Sequence, residues 1–211
     1  MRRILKALTA ALAVSTINGA YLGKNQYGID RFSVDLDLPE EQRFVETSTF
    51  FKAPLIEVLK QYMDLVPPLL LNIVEGFGGQ IAKIQPEYFR EIEGMAGALG
   101  IPSNDLLLAQ YINELSAFCT SVVAYQPDGT IFHGRNMDFL FEQTMRNITY
   151  QGEFYKNGTH LYTAVMYAGL NGVPTGWRDE FSISINNRRP SNRTSPLELL
   201  ENIGLIFMGY T

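Results

Sequence analysis

One cysteine, one arginine and one aspartate near the middle of the sequence have the spacing of a nucleophilic site. Cys119 is the only cysteine, and Arg135 and Asp138 follow it by sixteen and nineteen residues in FCTSVVAYQPDGTIFHGRNMDF. A free thiol has a pKa of ~8.5 and is mostly protonated at neutral pH, but a nearby cation favours the thiolate. Arginine suits that task because it keeps its charge, and an aspartate can orient the arginine or a chain-terminal amine. The three residues predict thiol chemistry here.

Such chemistry also needs a base, and the chain has only two histidines, His133 and His160. The stretch AFCTSV lacks the signature of papain-like proteases, which use a histidine base. A nucleophile at the first residue of a mature chain can instead use its own α-amino group, whose pKa of ~7.7–8.0 suits proton transfer. That route requires cleavage of the Phe118–Cys119 bond. On residue type alone, a lone cysteine at a strand start is more often a small buried side chain than a nucleophile.

Strands are predicted from the cysteine onwards, because apolar residues there recur with a period of two. The predicted strands are residues 119–125, 130–137, 148–155, 159–169 and 180–186. The turn QPDG between the first two predicts an antiparallel hairpin, which returns Arg135 and Asp138 to the side of Cys119. The turn KNG joins the next two strands.

Helices are predicted before the cysteine, where apolar residues recur at intervals of three and four. They cover residues 53–66, a stretch from Leu70 to Phe77, residues 86–100 ending at Gly100, and residues 103–118 with Ser103 or Asn104 as N-cap. A further helix is expected over residues 195–208. Helices first and strands afterwards, with the change at Cys119, predict the α+β class.

The first twenty residues have the features of an export signal. Arg2, Arg3 and Lys6 precede an apolar run of about eleven residues that ends in small residues, which is typical of a signal peptide over residues 1–20. A buried first helix is the alternative. Three Asn-x-Thr sequons, at Asn147, Asn157 and Asn192, agree with export and predict glycosylation. We expect the secretory pathway, with the lysosome or secretion as the destination.

Composition argues against several other functions. Removal of residues 1–20 takes away three positive charges and changes the formal net charge from −5 to −8, which disfavours nucleic-acid binding. Two scattered histidines do not suggest a metal site, and no cofactor is expected. The apolar segment 66–77 (VPPLLLNIVEGF) fits either a core helix or a surface that contacts lipid.

The segment from Phe118 to Phe139 closely resembles the processing site of the family that contains acid ceramidase and N-acylethanolamine-hydrolysing acid amidase. Cys-Thr-Ser and His-Gly-Arg-Asn-Met-Asp occur here at the family's spacing. Upstream, DRFSVDLDLPEEQRF and IQPEYFREIEGMAGALGIPSNDLLLAQYINELSAFC resemble the start and the end of the family's α chain. Together these blocks span about 110 residues.

The resemblance implies an N-terminal nucleophile hydrolase with an αββα core. It implies a helical α-chain region over residues 21–118, self-cleavage between Phe118 and Cys119, and a β-chain region that starts at residue 119. The two chains are then expected to stay associated. The match makes Cys119 the nucleophile and base, supported by Arg135 and Asp138, and makes a lipid amide the substrate.

The chain also departs from the family pattern. Asn187 stands where the family usually has an acidic residue, and residues 119–211 supply about five strands, so we expect an incomplete second sheet. N-acylethanolamines are favoured as substrates over ceramide, because Lys24 to Phe118 contain none of the cysteines that link the two chains of acid ceramidase. Ceramide hydrolysis and an inactive, lipid-contacting homologue are the alternatives.

Overall fold

A computed structural model describes residues 19–64, 79, 81–110 and 118–186 of the chain. Before the cysteine lie strands β1 (Tyr21–Lys24) and β2 (Asp30–Asp35), and helices α1 (Val45–Phe50), α2 (Lys52–Met63), α3 (Pro86–Leu99) and α4 (Ser103–Ala109). From the cysteine onwards lie β3 (Phe118–Tyr125), β4 (Ile131–Asp138), α5 (Glu142–Arg146), β5 (Thr149–Lys156), β6 (Thr159–Tyr167), β7 (Thr175–Trp177) and β8 (Ser182–Ser184). This mixture of helices and strands confirms the α+β class.

The larger sheet has six strands in the order β1-β2-β5-β6-β7-β8. Its neighbours pair antiparallel except β2 and β5, which pair parallel through residues 31–35 and 151–155. Two strands of this sheet therefore come from the region before Cys119. The prediction of a helical α-chain region over residues 21–118 did not include these two strands.

Strand β2 alternates polar and apolar residues from Arg31 to Asp35, a short strand signal that sequence reasoning missed. Phe32 and Val34 have no exposed surface, and Ser33 between them is 2% exposed. The alternation does not reveal that both faces are covered, because Ser33 is polar and yet buried. Its partner β5 lies about 120 residues later in the chain, so local pattern could not reveal it.

The core lies between the six-stranded sheet and helices α1 to α4. Phe32 packs against Phe51 and Tyr150 with ring centroids 5.8 and 5.5 Å apart. Other buried members of this core include Leu55, Val58, Ile92, Met95, Leu106, Leu107, Met145, Ile148 and Met166. One continuous core thus contains residues from both sides of Cys119.

The helix predictions hold in part. Helix α2 ends three residues before the predicted end, and α3 ends at Gly100, whose φ of 75° is the left-handed conformation that glycine favours. Helix α4 starts at Ser103, with Pro102 rather than Ser103 or Asn104 as its N-cap. Residues 111–117 of the predicted fourth helix, the helix around Leu70 to Phe77 and the helix at 195–208 lie outside the described residues.

Both predicted hairpins are present. Strands β3 and β4 pair antiparallel without a register shift and form a separate two-stranded sheet. Strands β5 and β6 turn at Asn157 and Gly158, both with positive φ. The predicted strand over residues 180–186 is shorter, Ser182–Ser184, and β7 was not predicted. A stacked αββα core stays a prediction from the resemblance.

Candidate active site

The register of the β3–β4 hairpin decides which predicted site residues share a face. Cys119 is paired with Met137, and Ser121 with Arg135. Because opposite residues of an antiparallel pair project to the same side, Cys119 and Arg135 lie on one face as diagonal neighbours. Asp138 is paired with Phe118 and belongs to the other face. The hairpin places Cys119 and Arg135 on one face and Asp138 on the opposite face.

Arg135 is held by oxygen atoms at the end of β8. Its Nη1 donates to Asn186 Oδ1 at 2.5 Å and to the carbonyl of Asn136 at 3.2 Å, and its Nη2 donates to the carbonyl of Ile185 at 2.6 Å. All these acceptors are neutral, and its buried Nε has no partner among the described residues. Among the residues that the structure describes, neutral oxygens rather than a carboxylate therefore fix the guanidinium in place.

Asp138 lies at the open end of the hairpin, where β3 begins and β4 ends. Its side chain is exposed, and its Oδ1 accepts a hydrogen bond of 2.7 Å from Asn136 Nδ2. Its partner in the ladder is residue 118, next to the backbone nitrogen of Cys119. A cut before Cys119 would therefore create the new amine one residue from Asp138.

A strip of polar side chains joins the cysteine face of the hairpin to β8. Ser121 and Ser184 share a hydrogen bond of 2.7 Å between their hydroxyls. His133 Nδ1 and Ser182 Oγ share another of 2.7 Å. These contacts and those of Arg135 dock the hairpin onto the edge of the six-stranded sheet. The spacing of these serines gave no signal in the sequence.

Tyr167 is a further neighbour that sequence reasoning missed. It ends β6, and its hydroxyl donates to Met137 Sδ at 3.3 Å. Burial raises the pKa of Tyr167 to about 12, while the charge of Arg135 acts to lower that pKa and Cys119 acts to raise it. The hydroxyl is thus within electrostatic reach of both residues, although they lie in different sheets. The segment AVMYAG holds no local sign of this contact.

A cavity of about 180 Å³ opens beside these residues. Its walls come from the end of β4, helix α5, the start of β5 and the end of β6, through Asn136, Met137, Asp138, Phe139, Glu142, Met145, Arg146, Thr149 and Tyr167. The cavity is thus lined by two separate acidic residues, Asp138 and Glu142, by Arg146, which pairs with Glu142, and by Tyr167 together with apolar side chains.

Other predicted sites have simpler settings. Asn147 and Asn157 are exposed, as glycan attachment requires, and Asn192 lies outside the described residues. Within residues 19–64, 79, 81–110 and 118–186, no three His, Cys, Asp or Glu side chains are grouped so as to hold a metal ion. No described helix is both long and apolar enough to cross a membrane.

Curated proteins of two kinds are similar to this chain. It is 31% identical over 184 residues to N-acylethanolamine-hydrolyzing acid amidase of Mus musculus. The aligned part covers 85% of this chain and 51% of the relative. It is 30% identical over 168 residues to the Caenorhabditis elegans protein of that name, covering 74% and 47%. It is 27% identical over 178 residues to Homo sapiens acid ceramidase, covering 74% and 45%. No family model matches the chain.

These similarities cover most of the chain and agree with the resemblance in the segment around Cys119. The chain belongs to the family of N-acylethanolamine-hydrolyzing acid amidases and acid ceramidases. It spans about half the length of the curated relatives it matches.

Proposed function

We propose that this chain is part of a hydrolase of lipid N-acyl amides that uses the Cys119 thiol after self-cleavage of the Phe118–Cys119 bond. N-acylethanolamines are the favoured substrates. The relatives, named as acid amidases and acid ceramidases, support the class of reaction.

The observation that carries the proposal is the arrangement at the open end of the hairpin. Cys119 and Arg135 share a face, and Asp138 is paired with residue 118. A fixed cation on the same face can stabilise negative charge that develops near the sulfur during attack. A carboxylate next to the new α-amino group can orient that amine as the base. Each group needed for attack therefore has a nearby candidate.

The reaction has two stages. The α-amino group of Cys119 takes the thiol proton, and the sulfur attacks the amide carbonyl carbon to form a C–S bond. The C–N bond then breaks, and the leaving nitrogen takes the proton from the α-ammonium group. In the second stage water attacks the thioester, the acid is released and the thiol is restored. Two lower barriers replace one high barrier.

The contacts across the cut support continued association of the two chains. Residues 31–35 and 151–155 pair in the core of the sheet. The Gln110 side chain donates to the carbonyl of Gly169 at 2.8 Å and accepts from the Asn171 backbone at 2.7 Å. None of these bonds involves the Phe118–Cys119 peptide. Cleavage there would leave both sets in place.

Lipid contact and location stay predictions from the sequence. Segment 66–77, the candidate lipid-contacting surface, lies outside the described residues. Export to the lysosome or the exterior agrees with the exposed sequons at Asn147 and Asn157.

Incubation of the purified precursor at acid pH tests the activation step. We expect two bands on a denaturing gel, and mass spectrometry should find Cys119 at the start of the smaller fragment. A matched Cys119→Ala precursor should stay uncut. Arg135→Lys should slow the cut and hydrolysis together, because lysine retains the charge but not the several-point docking. Arg90→Lys, which changes an exposed arginine of α3 that pairs with Glu40, should leave both unchanged.

Substrate preference is tested on the cut protein with palmitoylethanolamide and a short-chain ceramide. We expect faster hydrolysis of the ethanolamide. Equal turnover would contradict that preference, and a native precursor that is neither cut nor active would favour the inactive homologue.

A further inference from the structure

The hydroxyl of Tyr167 belongs to a buried residue but donates to a weak hydrogen-bond acceptor. The residue is 9% exposed, and the one acceptor seen for its hydroxyl among the described residues is the thioether of Met137, at 3.3 Å. A thioether sulfur is a weak acceptor, whereas buried tyrosine hydroxyls usually find a good partner. Phenylalanine would pack equally well against Phe139, whose ring centroid is 5.1 Å from that of Tyr167. The hydroxyl therefore calls for a separate explanation.

This hydroxyl contacts the same face of the hairpin that carries the candidate nucleophile. Met137, its acceptor, is paired with Cys119 across the hairpin and projects to the same face. Both Cys119 and Arg135 act electrostatically on Tyr167. The backbone of Tyr167 is fixed by pairing with Thr149, and its ring is held edge-on to Phe139. A rigid donor costs little reorganisation during a reaction.

An acceptor has room to reach this hydroxyl. Tyr167, Met137, Asp138 and Phe139 all line the cavity of about 180 Å³. One water molecule takes up about 30 Å³ of liquid, so a carbonyl oxygen fits beside the hydroxyl. The lining reaches the cysteine face through Met137 and does not include Cys119 itself. Because burial keeps its pKa at about 12, Tyr167 is protonated at acid and neutral pH.

We propose that Tyr167 is a catalytic residue whose hydroxyl donates a hydrogen bond to the oxyanion formed when Cys119 attacks the amide carbonyl. The inference rests on the proposed function. As the C–S bond forms, the carbonyl π electrons move to oxygen, and the Tyr167 O–H turns from Met137 to that oxygen while keeping its proton. As the C–N bond breaks, the oxygen returns the pair to the carbonyl and the hydroxyl returns to the thioether.

Tyr167→Phe tests the proposal, because it removes the donor and keeps the ring. Loss of one oxyanion donor should lower kcat about 10²-fold with KM unchanged. The affinity for a long-chain aldehyde, which forms a hemithioacetal oxyanion on a thiol, should fall in parallel. Tyr162→Phe is the matched control, because Tyr162 lies in the same strand, is largely buried and stacks on Phe154 away from the hairpin. Its kcat should equal that of the unmodified protein.

Replacement of Tyr167 by 3-fluorotyrosine separates donation from packing. This analogue keeps the ring and the donor, so its kcat should stay near the unmodified value. Equal kcat in the Tyr167→Phe and Tyr162→Phe proteins would overturn the proposal for Tyr167 and leave the proposed function standing. A fluorotyrosine protein as slow as the Phe variant would also overturn it. An unmodified protein that hydrolyses no amide would overturn both.

Discussion

The six-stranded sheet and the β3–β4 hairpin differ in what holds them. In the larger sheet Phe32, Tyr150 and Ala164 are at most 1% exposed. In the hairpin Val123 is 69% exposed and Phe132 is 52% exposed, and the contacts to β8 are polar ties from Ser121, His133 and Arg135. Burial of apolar surface stabilises the first region, whereas a few hydrogen bonds position the second.

The residues that stabilise the fold and the residues proposed to react therefore lie in different regions. The proposed reactive bond lies at the end of the hairpin, and the core that unites the two sides of Cys119 lies in the larger sheet. A cut before Cys119 would leave the pairing of residues 31–35 with 151–155 in place. Substitutions in the two regions should therefore affect different measurements. The following predictions use the Cys119→Ala precursor, so that the chain stays uncut.

The largest contrast is expected between two phenylalanines. Phe32→Ala should lower the free energy of unfolding by about 3–5 kcal/mol, because it removes a fully buried ring. Phe132→Ala, in the hairpin, should lower it by only about 0.5 kcal/mol. Urea unfolding measures both. Equal losses would mean that the hairpin is as tightly packed as the core.

Two glycines in α3 test how closely this helix approaches the backbone of Glu41. A Cβ on Gly94 would lie 1.8 Å from the carbonyl oxygen of Glu41, whereas one on Gly97 would meet nothing within 4 Å. Gly94→Ala should destabilise by about 1–3 kcal/mol, because backbone must move to make room. Gly97→Ala should stabilise by about 0.5–1 kcal/mol through helix propensity. Chemical unfolding of the two variants gives both values, and the same sign for both would contradict the close approach of α3 to residue 41.

The docking of the hairpin is tested by a double-mutant cycle on Ser121 and Ser184. Their shared hydrogen bond should give a coupling free energy of about 0.5–1.5 kcal/mol between Ser121→Ala and Ser184→Ala. The cycle compares urea unfolding of the parent, the two single variants and the double variant. Strictly additive losses would mean that this contact does not hold the hairpin to β8.

The smallest effect concerns pH and a carboxylate that joins α3 to the loop after β6. Burial raises the pKa of Glu91 above 4.5, despite hydrogen bonds from Arg43 and Asn171 that act to lower it. The stability that this shift contributes is present below pH 4.5 and is lost as pH rises through the folded-state pKa. Between acid and neutral pH, the free energy of unfolding of the parent protein should therefore contain a decrease caused by Glu91. In Glu91→Gln this decrease should be absent.

A second carboxylate near Arg43 serves as the opposite control. The hydrogen bond from Arg90 lowers the pKa of Glu40, so its contribution is present above pH 4.5 and is lost as pH falls through the lowered pKa. Urea unfolding at a series of pH values should show changes of opposite sign for Glu40→Gln and Glu91→Gln. Changes of the same sign would contradict the role of burial at Glu91.

Local sequence pattern predicted much of the fold but did not predict all of its strands. The hairpin around QPDG and the stop of α3 at Gly100 followed from turn chemistry and periodicity. Strand β2 did not, because its alternation covers only a few residues and its partner β5 lies about 120 residues later. Strand β7 has three residues, too few to show a period. The candidate site was predicted as Cys119, Arg135 and Asp138, but their faces depend on a register.

The sequence by itself determined the candidate nucleophile, its possible cation and carboxylate, the hairpin that carries them and the family. These are properties of residue type and of spacing over some twenty positions. Only the tertiary structure decided that β2 pairs with β5, that Arg135 is anchored by the end of β8 and that Tyr167 reaches the cysteine face. Those contacts join residues that are 30 to 120 positions apart. Their geometry comes from packing one core, which no local stretch encodes.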